Sequence, residues 1–331
     1  MNQLIDRFGR VHRALRISLT DACNIRCVYC MPAEGAEFLH SQQWLTFAQL
    51  EAFVRTAVEL GIRKVRLTGG EPLLRPRLAE LVARLRSIEG LQSIALTTNG
   101  MLLDGQLDGL VAAGLQRINV SLDTLSEANF QRLSRRQGLD RVLQGIAATA
   151  RHPQLQVRLN ALVLRDVNLE DVCGLVEFAR QRNMTIRFIE FMPLDSDRGW
   201  SVQRMVSGGE LRELISRQLG PLVACPADDS SQPAREYAFV DGRGRVGFID
   251  SVSQPFCGAC DRLRLTADGK LRNCLFGRQE WDVAEVLRHE PPDGGRLEEI
   301  LRTVTWFKHA AHGIEAADFQ PPERAMYQIG G

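Results

Sequence analysis

The chain of 331 residues has only three lysines, Lys64, Lys270 and Lys308, so arginine carries nearly all of its positive charge. It also has little net charge, +1 at pH 7. That removes any general attraction to nucleic acid or anionic membrane, and an anionic ligand has to be met by a local cluster. No apolar run approaches the length of a membrane span, and the opening MNQLIDRFGRVHR has no apolar core of a signal peptide. The expectation is a cytoplasmic chain with no membrane and no nucleic acid among its partners. There is no G-x4-G-K-[ST] loop, so a nucleoside triphosphate has to be held without a Walker site.

An apolar share of 44% and a charged share of 24% describe an ordinary globular protein of one or two domains. From residue 15 to about 192, short β-rich runs alternate with helical patterns. The predicted strands are LRISLT (15–20), KVRL (64–67), SIALT (93–97), RINVS (117–121), VRLNALV (157–163) and IRFIEF (186–191). One helix is opened by a Thr46/Gln49 capping box and closed near Gly61, with Leu50, Phe53, Val54, Ala57 and Val58 on one face. Others fit 78–90, 139–151, 169–182 and 207–219. Six β/α units in series call for an α/β fold with a parallel sheet, either open and doubly wound or a complete or partial barrel. In a barrel, chemistry belongs at the C-terminal strand ends, which here carry TGGEP (68–72), TTNG (97–100), SLD (121–123) and EFMP (190–193). A G-x-G-x-x-G at Gly242, Gly244 and Gly247 is flanked by β-type runs with no helix after it, so it reads as hairpin turn chemistry.

Six of the eight cysteines fall into two groups. DACNIRCVYCMP places Cys23, Cys27 and Cys30 at C-x3-C-x2-C, and Cys257, Cys260 and Cys274 form C-x2-C-x13-C. Cytoplasmic disulfides are disfavoured, so clustering points to metal. Cys173, in an apolar helical pattern, reads as a small buried hydrophobe, and Cys225 has no cysteine neighbours. Zinc wants four ligands and each group offers three, although Cys225 or a distant histidine can complete one site. An iron–sulfur cubane held by three thiolates keeps one iron open for an outside ligand. An Ala267-Asp268-Gly269-Lys270 turn folds Cys274 back beside Cys257 and Cys260. Arg262 and Arg264, two apart on the incoming strand, share one face beside that group and suit phosphate oxygens.

CNIRCVYC resembles the C-x3-C-x-[aromatic]-C loop of radical S-adenosylmethionine (SAM) enzymes, and TGGEP resembles the segment that superfamily uses for the SAM amino group. FGRVHRALRISLTDACN, RLTGGEPLLR, FIEFMPLD, the C-terminal cysteines with Arg-Leu-Arg between them and the final Gly-Gly are similar to the GTP 3',8-cyclase family of molybdenum cofactor biosynthesis, over nearly the whole chain. The resemblance implies a partial (β/α)6 TIM-like barrel over residues 1–222 and a C-terminal region, 223–331, carrying a second cluster. It implies two [4Fe-4S] clusters and SAM as cofactors, with Cys23, Cys27 and Cys30 holding one cluster and Cys257, Cys260 and Cys274 the other. Reductive cleavage of SAM then gives a 5'-deoxyadenosyl radical that takes the 3' hydrogen of GTP, and the ribose radical attacks C8 of guanine.

Carried over by position, Tyr29, Gly70, Ser121 and Met192 would meet SAM. Arg16, Arg66, Thr97, Arg158, Arg262, Leu263 and Arg264 would hold GTP, and Arg262, Arg264, Gly330 and Gly331 would be catalytic, the two final glycines reaching into the active site. Two positions depart from the family: Arg158 puts a planar fork where lysine is usual, and Ala22 replaces an arginine. The implied partners are GTP, a reducing electron donor and a cyclic pyranopterin monophosphate synthase that receives the product, with the chain a monomer or homodimer. The competing readings are a peptide- or haem-maturing radical SAM enzyme and, more remotely, a zinc-binding scaffold.

Overall fold

The computed structural model describes residues 3–227, 229, 231–289, 291–316 and 319–330. Six strands run in order through its first two thirds: β1 (Ala14–Ser18), β2 (Lys64–Thr68), β3 (Ser93–Thr98), β4 (Arg117–Ser121), β5 (Gln156–Leu162) and β6 (Thr185–Ile189). Each pairs with the next in parallel, with Ala14 opposite Lys64, Lys64 opposite Ser93 and Asn119 opposite Arg158. Helices α1 (Phe47–Glu59), α2 (Leu78–Arg86), α3 (Leu107–Ala112), α4 (Glu127–Ser134), α5 (Leu139–Ala148) and α6 (Val172–Gln181) make the crossovers. Parallel pairing requires such crossovers, because a hairpin reverses the chain.

The remainder of the chain continues the same sheet at both margins. After α7 (Gly208–Leu219) come β7 (Leu222–Ala224), β8 (Arg235–Phe239) and β9 (Arg245–Ile249), with β9 parallel to β6. The chain then returns to the opposite margin as β10 (Arg262–Leu265), β11 (Lys270–Arg272) and β12 (Trp281–Asp282), with β10 parallel to β1. It finishes in α8 (Ala284–Arg288), α9 (Gly294–Trp306) and α10 (Met326–Ile329). The strand order β12-β11-β10-β1-β2-β3-β4-β5-β6-β9-β8-β7 does not close on itself, so the barrel is partial. Arg262 and Arg264 therefore lie on an interior strand.

Alternation along the strands divides core from cavity. In β1, Leu15 and Ile17 are buried in the main apolar core beneath the helices, while Ala14 and Arg16 face the concave side. The predicted capping box holds: Thr46 Oγ1 accepts from the Gln49 amide at 3.2 Å and Gln49 Oε1 from the Thr46 amide at 2.8 Å. It sets Leu50, Phe53, Val54, Ala57 and Val58 of α1 against the sheet. The glycines at 242, 244 and 247 belong to the β8–β9 hairpin, with φ of +74° at Gly242 and +86° at Gly244. Gly269, at φ +82°, turns the β10–β11 hairpin.

The predicted strands lie within two residues of the observed ones, but α3, α4, α8, α9 and α10 were not foreseen. In the sequence α4 offers only Phe130 and Leu133 as large apolar residues, whereas α9 opens on two glycines but then carries a helical period, Leu297, Ile300, Leu301 and Val304, that the sequence reading passed over. Cys173 is half-buried, because the core-facing stripe of α6 is Val172, Leu175, Val176 and Ala179. Among the described residues no helix is long and apolar enough to cross a membrane.

Phe53 is fully buried between α1 and the sheet. Phe53→Ala is expected to destabilise the fold by about 3–5 kcal/mol, read as a lower urea midpoint in reducing buffer, because the neighbours collapse only partly into the space left.

Candidate active site

A cavity of about 450 Å³ fills the concave side of the sheet and is lined by residues from β1 to β6, β9 and β10. Both cysteine groups line it. They lie at opposite ends, since Cys23 follows the C-terminal end of β1 whereas Cys260 precedes the N-terminal end of β10, which runs parallel to β1.

At the C-terminal end, the loop after β1 is held by TGGEP. The Gly70 amide donates to Thr20 O at 2.7 Å and the Glu71 amide to Ala22 O at 2.8 Å. A Cβ at Gly70 would lie 2.3 Å from Ala22 O and one at Gly69 2.3 Å from Thr20 O, so both positions need glycine. Glu71 is buried and accepts from the Leu73 amide, Thr98 Oγ1 and the Asn99 amide, which joins the ends of β2 and β3. Burial outweighs those three donors and pushes its carboxyl up to about 7. Asn99 donates to Cys23 Sγ at 3.7 Å and to Asn24 Oδ1 at 2.7 Å, while Arg26 donates to Cys23 O at 2.6 Å. The Tyr29 hydroxyl donates to Asp123, whose other oxygen accepts from the Leu162 amide at 2.8 Å. Burial raises the thiols of Cys23, to about 11, of Cys27 and of Cys30. Glu71 adds to the rise at Cys23, and Asp123 and the neighbouring thiols add to that at Cys27. Three clustered thiols so placed become thiolates only with cationic metal beside them.

Below this end a belt of arginine crosses the cavity. Arg16, Arg66, Arg117, Arg158, Arg187, Arg262 and Arg264 all line it, at alternate positions of their strands. Burial first, and then mutual repulsion, lower Arg66 and Arg158 to about 10, Arg264 to about 9 and Arg16 well below its ordinary value. Glu236 pairs with Arg187, and Asp229 pairs with Lys64 at the N-terminal mouth. Arg66 donates to Thr97 Oγ1 at 3.2 Å. Buried Arg262 Nε and Asn160 Oδ1 have no hydrogen-bond partner among the described residues. Such a belt in a chain of net charge +1 is a site for a polyanion.

At the N-terminal end, Arg262 donates to Cys260 Sγ at 3.6 Å and lies over the Phe256 ring at 4.4 Å. Burial raises Cys257, whereas at Cys260 it is overcome by Arg262 and Lys308, which bring that thiol down to about 6. Arg10 donates to Cys257 O at 2.6 Å, tying the first residues of the chain to this loop.

The same arrangement occurs in known proteins. The Radical SAM superfamily matches residues 17–179 and Molybdenum Cofactor Synthesis C residues 184–314. A GTP 3',8-cyclase of Rhodopirellula baltica is 48% identical over 99% of this chain and 92% of its own, and one of Streptomyces coelicolor is 42% identical over 99% and 96%. The chain belongs to the GTP 3',8-cyclase family of radical SAM enzymes. Its fold is that of the crystal structure of Streptococcus suis SuiB bound to S-adenosylmethionine, with a TM-score of 0.62 and 14% identity, covering 88% of this chain and 69% of that one.

The cyclase family carries [4Fe-4S] clusters and uses SAM, and the donor sets here fit that cofactor. Each consists of three free thiols. Among the described residues no three His, Cys, Asp or Glu side chains form a site for one metal ion.

The residues that the cyclase resemblance points to are mostly brought together. Tyr29, Gly70, Ser121 and Met192 line the C-terminal end of the cavity, and Arg16, Arg66, Thr97, Arg158, Arg262 and Arg264 its middle. Leu263 is the correction: it is fully buried in the main core on the other side of β10, so its side chain has no access to a ligand in the cavity. Gly330 is buried at φ +82°, its carbonyl accepting from Arg264, and a Cβ there would lie 2.8 Å from Thr68 Cγ2. Gly331 lies outside the described residues.

Asp123, Asn99, Arg117, Arg187 and Lys308 were not foreseen as site residues. Asp123 and Asn99 lie in SLD and TTNG, which had been singled out only as strand ends. Arg117 and Arg187 could have been found from strand alternation, being in phase with inward-facing Asn119 and Ile189.

Gly70→Ala is expected to displace the Cys23 loop while leaving the other cysteine group intact. Anaerobically reconstituted protein should lose about half of its iron, since each cubane holds four, and unchanged iron content would contradict this account.

Proposed function

We infer that this chain cyclises GTP to (8S)-3',8-cyclo-7,8-dihydroguanosine 5'-triphosphate, an early step of molybdenum cofactor biosynthesis. The observation that carries the reading is one cavity with a three-thiol site at each end and a belt of arginine between them. When bound at Cys23, Cys27 and Cys30, the cluster supplies the electron that splits SAM into methionine and the adenosyl radical.

The chain's own residues bind, orient and exclude water. Tyr29, Gly70, Ser121 and Met192 would seat SAM at the C-terminal end. Arg16, Arg66, Arg158, Arg262 and Arg264 would grip the triphosphate with forked donors taken from separate strands, with Thr97 beside them. Arg158 would do so with a fork in place of the usual lysine. The guanine base would then point toward the N-terminal cysteine group. Holding both nucleosides in one enclosed cavity brings the reacting carbon and hydrogen together and keeps solvent from quenching a radical. Gly330 would complete the wall beside Arg264.

Residues 1–222 would serve as the radical SAM core and 223–331 as the region that brings the second cluster and the tail. The enzyme would work in the cytoplasm, in keeping with eight unpaired cysteines. It would draw electrons from a reducing donor and pass its product to a cyclic pyranopterin monophosphate synthase.

Reduced, reconstituted protein is expected to form 5'-deoxyadenosine from SAM at a rate that depends on GTP, followed by chromatography; SAM cleavage indifferent to GTP would refute the assignment. Removing Gly330 and Gly331 is expected to leave the iron content unchanged and abolish the cyclised product, and an active trimmed enzyme would remove the tail from the site.

A further inference from the structure

Lys308 stands out in a chain that otherwise uses arginine for its cations. It follows α9, is 3% exposed, and donates to Arg262 O at 2.7 Å and Asn273 O at 2.6 Å. Those carbonyls belong to the residue two beyond Cys260 and the residue just before Cys274, so one ammonium ties together the two hairpin strands that carry these thiols. A buried ammonium needs an anion. Among the described residues Lys308 makes no ion pair with a carboxylate, and the anionic groups acting on it are Cys260 and Cys274. Arg262 and Arg10 add positive charge, buried His12 is held neutral near pH 7, its pKa lowered to about 4, and the buried carboxylate of Asp6 beside it is taken up by Arg10.

We propose that Lys308 is a positioning residue and the fixed counter-charge of the second cysteine group: held behind Cys260 and Cys274 by the Arg262 and Asn273 carbonyls, its ammonium sets the local charge and the placement of the cluster those thiolates carry. This rests on the reading that Cys257, Cys260 and Cys274 hold an iron–sulfur cluster. Removing the charge leaves the thiolate-held group with less compensation, which favours its oxidised form and loosens its hold on iron.

The decisive variant is Lys308→Gln, which keeps an N–H donor and carries no charge. Full-length, reconstituted wild type and variant are titrated potentiometrically by electron paramagnetic resonance, the two clusters being told apart by their response to SAM or to GTP. The GTP-responsive midpoint is expected to move to lower potential and the SAM-responsive midpoint to stay. Iron release from the former to a chelator should quicken on the order of tenfold. An unshifted GTP-responsive midpoint, or an equal shift in both, overturns the proposal. If Lys308→Gln does not fold, Lys308→Arg is read instead: the wild-type midpoint is expected with the charge kept, and a lowered one overturns the proposal. A wild type that holds only one cluster refutes the cluster reading itself, whereas two clusters with no shift refute only the role of Lys308.

Discussion

Repulsion among guanidiniums that face one another across the open barrel is the constraint around which the molecule is arranged. Burial costs each of them hydration, and their neighbours raise the cost further. Local features offset it. Glu236 meets Arg187, and the carbonyl of Gly330 meets Arg264. The rest of the belt is left for a ligand with several negative charges. The apolar core on the opposite side of the same strands, Leu15, Ile17, Val65, Leu67 and Leu263 among it, keeps the strands in place while their inward residues repel.

The two thiol groups sit in opposite electrostatic surroundings. Around Cys23 and Cys27 the titratable neighbours are the buried acids Glu71, partly protonated near pH 7, and Asp123, with Arg26 beyond them; around Cys260 they are Arg262 and Lys308. Negative surroundings favour the oxidised form of a bound cluster and make its reduced form a stronger donor, which suits a centre that must pass an electron to SAM. Positive surroundings would suit a centre that, on the proposed function, meets an electron-rich base beside a triphosphate. One sheet accomplishes both by placing its acids after the C-terminal ends of β2 and β4 and its cations toward the N-terminal end of β10.

Local pattern made much of this legible in the sequence. The cysteine spacings, the Thr46/Gln49 cap, the Gly269 turn and the shared face of Arg262 and Arg264 are all short-range features, and each has its counterpart in the structure. Strand pairing over long separations was not legible: nothing near Arg262 announces that it lies beside Ala14, or that β9 adds to β6. Lys308 escaped notice for the same reason, since its partners at 262 and 273 are brought to it by folding. Leu263 shows the reverse error, a residue grouped with its neighbours by motif although strand alternation turns it away from them.

The placement of β10 also bears on how the chain is made. The first strand emerges early from the ribosome but waits for residues 262–265 before its second margin is covered. Until then it presents an unpaired row of backbone amides and carbonyls, the kind of edge along which nascent chains stick to one another. Synthesis halted short of that point would yield a product that has most of its helices and a tendency to aggregate.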